Sequence, residues 1–164
     1  VDSYSHIGAI CSEKEDKYPQ NKSYPQDKTK TKVDNYKKNK KSGKTIAVLG
    51  NGLDTIYPKE NIKLAKCILE SGGAIVTEYP LGIKPEKMNF PARNRIVSGL
   101  SRGILVIEAK EKSGSLITVD YALEQGRDVY IVPGNINSIN SVGTNNLIKQ
   151  GAKLVTNFKE ISII

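Results

Sequence analysis

Between Lys87 and Thr118 the sequence strings together side chains suited to holding a nucleotide. Phe90 precedes Pro91 at the opening of a helical stretch, and Arg93 and Arg95 flank Asn94 just beyond it. Guanidinium groups pair with phosphate oxygens through charge-assisted hydrogen bonds, and an accessible phenyl ring stacks on the face of any unpaired base. Further on, Ser113, Gly114 and Ser115 form a small-residue loop that opens a second helix. Backbone N–H groups at such a helix start lack intrahelical partners and can face a phosphate. These parts suit a nucleotide or a single-stranded nucleic acid. Each also has a structural alternative: solvated arginines, a core plug at Phe90, and helix capping by Ser113 and Ser115. Gly52, in the turn Gly50-Asn51-Gly52, is a further candidate contact. Without a third spaced glycine that turn serves equally well to reverse the chain after a strand.

Groups for covalent or metal chemistry are few. His6 is the sole histidine and has no Ser/Asp partner pattern, and Cys11 and Cys67 form no metal-ligand cluster. Cys67 shares an apolar helical pattern with Leu64 and Ile68, which predicts a buried free thiol. No catalytic residue, metal or cofactor is therefore expected.

The elements that must position the candidates alternate regularly. Short apolar runs at residues 45–49, 74–77, 104–107 and 129–132 predict strands. Helical patterns at 60–71, 92–100, 116–125 and 144–150 separate them, the first ending at Gly72 and Gly73. Strands apolar on both faces, alternating with helices, predict an α/β fold with a parallel sheet covered on both sides. Right-handed crossovers would send the loops at 50–54, 78–90, 108–115 and 133–143 to one carboxyl edge, where a ligand cleft belongs.

The net charge of +8 is unevenly placed. Residues 12–44 hold eleven lysines against five acids, repeat Tyr-Pro-Gln, and have almost no aliphatic residues. That composition predicts a disordered, solvated insertion, or alternatively a lysine arm with Tyr18, Tyr24 and Tyr36 that touches a nucleic-acid backbone. The expected organisation is a helix in residues 1–11, the insertion at 12–44, and an α/β domain carrying the candidate ligand residues at 45–164. No apolar run reaches the roughly 18 residues of a membrane span, and the start has no signal-peptide pattern. A soluble cytoplasmic protein is the expectation.

Several ordered stretches resemble the DprA/Smf family of DNA-processing proteins: NFPARNRIVSGLSRGILVIEA, SGSLIT, TIAVLGNGLDTIYPKEN, YIVPGN and LIKQGAKLV, spanning Gly43 to Ile161. Val1, Asp2 and His6 to Ala9 also look like the end of a helical segment of that family. The resemblance implies a Rossmann-like domain that binds single-stranded DNA and helps load the RecA recombinase onto it in natural transformation, typically as a homodimer. By resemblance, Lys87, Phe90, Arg93, Asn94 and Arg95 line the DNA pocket, and Gly114, Ser115 and Thr118 belong to a phosphate-facing loop. Asn145, Ile148 and Leu154 resemble the face that pairs two subunits, although an apolar short helix is equally consistent with a core contact.

Two departures qualify the likeness. The family's glycine-serine-arginine motif and the first two strands of its domain are absent, so the chain reads as a carboxyl-terminal fragment, with a nonfunctional fragment as the alternative. The lysine-rich insertion replaces a short link. The rival class is a LOG-like nucleoside-monophosphate phosphoribohydrolase, whose signature places a carboxylate after the phosphate loop. Here Thr118 stands at that place, so binding without catalysis is the expectation.

Overall fold

The computed structural model describes residues 2–10 and 43–161; Cys11 and the insertion up to residue 42 lie outside them. The chain divides into two compact units, Val1–Pro85 and Glu86–Ile164.

The first unit contains α1 (Asp2–Ile10), β1 (Ile46–Val48), α2 (Ile62–Glu70) and β2 (Ala74–Val76). β1 and β2 are parallel, with Ile46 opposite Ala74 and Val48 opposite Val76. Leu64 and Ile68, one helical turn apart on α2, are buried, while Lys63, Lys66 and Glu70 face water. Burying two such side chains contributes about 1.5–3 kcal/mol each. The helix ends because Gly72 adopts a left-handed φ of 78° and the Gly73 N–H donates to the Ile68 carbonyl at 2.9 Å. A Cβ on Gly73 would stand 2.3 Å from the Thr45 carbonyl oxygen, so glycine there lets α2 turn tightly into β1's neighbour. His6 is structural: its Nδ1 lies 2.8 Å from Thr45 Oγ1 and ties α1 to the approach of β1. Cys67 is free but only half-buried, because it sits beside the Leu64–Ile68 stripe rather than on it.

The second unit runs α3 (Asn89–Gly99), β3 (Gly103–Val106), α4 (Gly114–Glu124), β4 (Asp128–Ile131), α5 (Val142–Lys149) and β5 (Lys153–Leu154). Its three strands are parallel in the order β3-β4-β5. Val106, Ala109, Val119, Ala122, Val129 and Ile131 form the core, with Ile104, Leu116, Leu147, Ile148 and Ala152 packed around it. These elements reproduce the predicted alternation within a few residues at each end, and the fold is α/β and Rossmann-like.

The expected single sheet is divided, one parallel sheet to each unit. Among the described residues β1 pairs only with β2, and β3 pairs on one side only. The apolar strand residues are accordingly not all covered: Ile46, Leu105 and Ile107 are exposed. Side chains alternate between the two faces of a strand, so such exposure marks a face that no described element covers.

Candidate nucleic-acid interface

α3 gathers part of the candidate set. Phe90, Arg93 and Asn94 are three and four residues apart and therefore share one helix face. The Arg93 guanidinium carbon lies 5.8 Å from the centre of the Phe90 ring, within cation–π range. Arg93 Nε donates to Asn94 Oδ1 at 3.2 Å. All three side chains are half-buried, so Phe90 is neither a core plug nor a wholly exposed ring. Lys87 precedes the helix and is exposed. Arg95 stands apart: two residues beyond Arg93 it is rotated about 200° around the axis. Its side chain is exposed, and its carbonyl accepts from Gln125 Nε2 at 3.0 Å.

α3 and α4 pack side by side, and three hydrogen bonds join their carboxyl ends. Besides the Gln125–Arg95 bond, Ser98 Oγ donates to Gln125 Oε1 at 2.7 Å and Arg127 Nη2 donates to the Gly99 carbonyl at 2.9 Å. The two helices therefore run in the same sense. α4 begins where the β3 crossover leaves the carboxyl end of that strand, so the amino-terminal turns of both helices lie at that end. There Ser113 caps α4, its Oγ accepting from the Ser115 N–H at 3.3 Å. Gly114 and Ser115 are exposed, and Thr118 is half-buried one turn further along. A Cβ added to Gly114 would meet nothing within 4 Å, so the fold itself imposes no need for glycine there.

The neighbouring loops of this unit are locked together. Gly143 donates its N–H to the Ala109 carbonyl at 2.8 Å, and a Cβ on Gly143 would stand 2.5 Å from the Lys110 oxygen. Asn145 bridges the Gly134 backbone in both directions, accepting from its N–H at 3.2 Å and donating to its carbonyl at 3.1 Å. Of the three residues expected to pair subunits, Asn145 is thus engaged in holding a loop and Ile148 packs on the core. Leu154 is exposed on β5.

Gly52 belongs to the other unit and is buried. Its N–H donates to the Ile83 carbonyl at 2.9 Å, and a Cβ there would lie 2.5 Å from both Asp54 Oδ1 and the Pro80 oxygen. Asn51, also buried, donates from Nδ2 to the Thr55 carbonyl at 2.6 Å, and Thr77 Oγ1 donates to the Asn51 carbonyl at 2.9 Å. Asp54 Oδ1 accepts from the Gly82 N–H at 2.9 Å, and this bond holds its carboxyl below the ordinary value of 3.8. The Gly52 N–H, the Asn51 amide and the Asp54 carboxylate are thereby engaged within the turn's own fold.

Residues the sequence reading passed over are the clamps. Ser98 and Gln125 lie 27 residues apart, and nothing in their spacing announces that they meet. Among the described residues there is no group of three or more His, Cys, Asp or Glu that could hold a metal ion. No helix among them is long and apolar enough to cross a membrane.

The model of the family described as DNA recombination-mediator protein A matches residues 33–163. Protein Smf of Escherichia coli K12 is 57% identical over 120 residues, covering 73% of this chain and 32% of that protein. DNA processing protein DprA of Streptococcus pneumoniae R6 is 51% identical over 119 residues, covering 73% of this chain and 42% of the relative. The chain therefore spans well under half of either relative. Among solved structures, the X-ray structure of DprA from Streptococcus pneumoniae aligns with a TM-score of 0.66 at 50% identity, over 73% of this chain and 42% of that one. The structure of DNA processing protein A from Helicobacter pylori, described for its unique single-stranded DNA binding mode, aligns with a TM-score of 0.61 at 33% identity, over 70% of this chain and 53% of that one.

Proposed function

The chain belongs to the family of DNA recombination-mediator protein A, and from that premise we propose that it binds single-stranded DNA and helps load a RecA-type recombinase onto it, without catalysis of its own. The observation that carries the reading is the pairing of Phe90 with Arg93 on one face of α3. A ring offers a stacking surface to an unpaired base, and the guanidinium beside it offers paired donors to the adjoining phosphate. The Ser113-Gly114-Ser115 turn at the same end of the unit opens α4, whose positive dipole end favours a further phosphate, with Lys87 adding charge. The Helicobacter pylori relative, described for single-stranded DNA binding, supports the ligand class. The hydroxyl of Thr118, where a phosphoribohydrolase needs an acid, supports binding over hydrolysis. A homodimer in the cytoplasm, with exposed Leu154 as the contact to probe, and residues 45–164 as the DNA-binding domain complete the reading.

Fluorescence anisotropy with an oligothymidylate and the matching duplex tests it. Single strands should bind more tightly, because stacking on Phe90 needs an open base face, and affinity should fall steeply with salt as phosphate contacts release counterions. Equal or tighter duplex binding would refute the pocket. Release of free base from AMP at high protein concentration would move the function to nucleotide hydrolysis.

A further inference from the structure

Resting on the DNA-binding reading above, we propose that Asn94 is a positioning residue that acts through Arg93, fixing its guanidinium over Phe90 so that phosphate and base are met as one unit. An arginine side chain is a long flexible arm, and a guanidinium that must both lie against a ring and present donors to a phosphate needs its plane set in advance. Two contacts bear on it here: the ring of Phe90, 5.8 Å away, and the Asn94 amide oxygen, which accepts from Nε at 3.2 Å. The Nε bond uses one of the five guanidinium N–H donors. Helical spacing makes the arrangement local, since Phe90, Arg93 and Asn94 share a face while Arg95 does not.

The chemistry of the amide matters as much as its reach. An Asn oxygen accepts from Nε without itself bringing a negative charge against the guanidinium. Aspartate at position 94 would orient the guanidinium equally well but form an ion pair that competes with the ligand. Orientation and affinity should therefore separate between two substitutions of one residue.

The test uses the whole 164-residue chain and begins without DNA. In a 15N-labelled sample the Arg93 Nε–H of the unsubstituted protein should exchange slowly with water. Asn94→Ala should speed that exchange at least threefold by removing the acceptor, whereas Asn94→Asp should keep it slow. Oligothymidylate titrations should then show Asn94→Ala weakening binding by about three- to tenfold, the range of one orienting hydrogen bond, and Asn94→Asp by no less. In an Arg93→Ala background, Asn94→Ala should add nothing. If Asn94→Ala lowers the thermal midpoint, Asn94→Ser, whose hydroxyl is too short to reach Nε, provides the same readouts.

An Arg93 Nε–H that is indifferent to Asn94→Ala would overturn the inference. So would a loss of affinity that persists undiminished without Arg93, because Asn94 would then be touching DNA itself. Slow Nε–H exchange that depends on Asn94, in a chain that fails to bind oligothymidylate, would instead strike the DNA-binding reading and take this role for Asn94 with it.

Discussion

The turn at residues 50–52 and the turn at residues 113–115 both follow a parallel strand and both set glycine among small polar residues, yet the structure uses them in opposite ways. In the first, Asn51 and Gly52 are buried, the Gly52 N–H is donated to Ile83, and Asp54 reaches across to Gly82. Glycine is required there because a neighbouring loop occupies the space of a side chain. In the second, Gly114 and Ser115 are exposed and the space beside Gly114 is open. A glycine the fold does not need is better explained by something that approaches it from outside. Small-residue turns thus divide into those that close on themselves and those left open to solvent, and only the environment of the missing Cβ tells them apart.

The largest expected effect breaks the comparison directly. Gly52→Ala should destabilise the protein by about 1–3 kcal/mol, since its methyl group would overlap a backbone carbonyl and the Asp54 carboxylate. Gly114→Ala should leave stability within about 0.5 kcal/mol, as an exposed substitution does, while weakening oligothymidylate binding. Urea unfolding of the two variants, followed by titration of the stable one, checks both halves. Equal stability of the two would remove the distinction between the turns.

A second contrast lies within α3. Arg93→Ala should reduce single-stranded DNA affinity by about tenfold or more, the scale of a hydrogen bond to a charged group, and Arg95→Ala by much less, because Arg95 points away from the Phe90 face. Deleting residues 12–42 should also cost less than Arg93→Ala, although it removes far more charge, since diffuse lysines at physiological salt are screened and a positioned guanidinium is not. A deletion that outweighs Arg93→Ala would shift the binding to the lysine-rich arm.

The order of elements was legible because short apolar runs and helical stripes such as Leu64 and Ile68 are written in local periodicity. The candidate ligand residues Phe90, Arg93 and the Ser113-Gly114-Ser115 turn could be picked out in the sequence because they carry their chemistry in their side chains or in their lack of one. Arg93 and Arg95 looked equivalent in sequence, and the helical rotation between them separates them. Gly52 and Gly114 were both candidate contacts, and the loop that fills the space beside Gly52 comes from residues 80–83, a distance along the chain that no local pattern spans. Long-range clamps such as Ser98 with Gln125, or Asn145 with Gly134, are invisible for the same reason.

The smallest effect sharpens the comparison by titration. Asp54 belongs to the closed turn, and its carboxylate is held below the ordinary value of 3.8, first by the Gly82 N–H and then by its own backbone and Thr55. A carboxyl group whose pKa is lower folded than unfolded binds protons more readily when unfolded, so its contribution to stability is fully present above the ordinary value and is lost as pH falls through the depressed one. The thermal midpoint of the unsubstituted protein should therefore drop more between about pH 5 and pH 2 than that of Asp54→Asn, whose side chain cannot ionise. At neutral pH the order should reverse in kind: Asp54→Asn should be slightly less stable, because the Gly82 N–H would then face a neutral amide in place of a charged acceptor. The open turn at 113–115 has no carboxylate in it, and Gly114→Ala should follow the pH profile of the unsubstituted protein throughout. Parallel profiles for the protein and Asp54→Asn would mean that the Asp54–Gly82 bond does not hold the closed turn together.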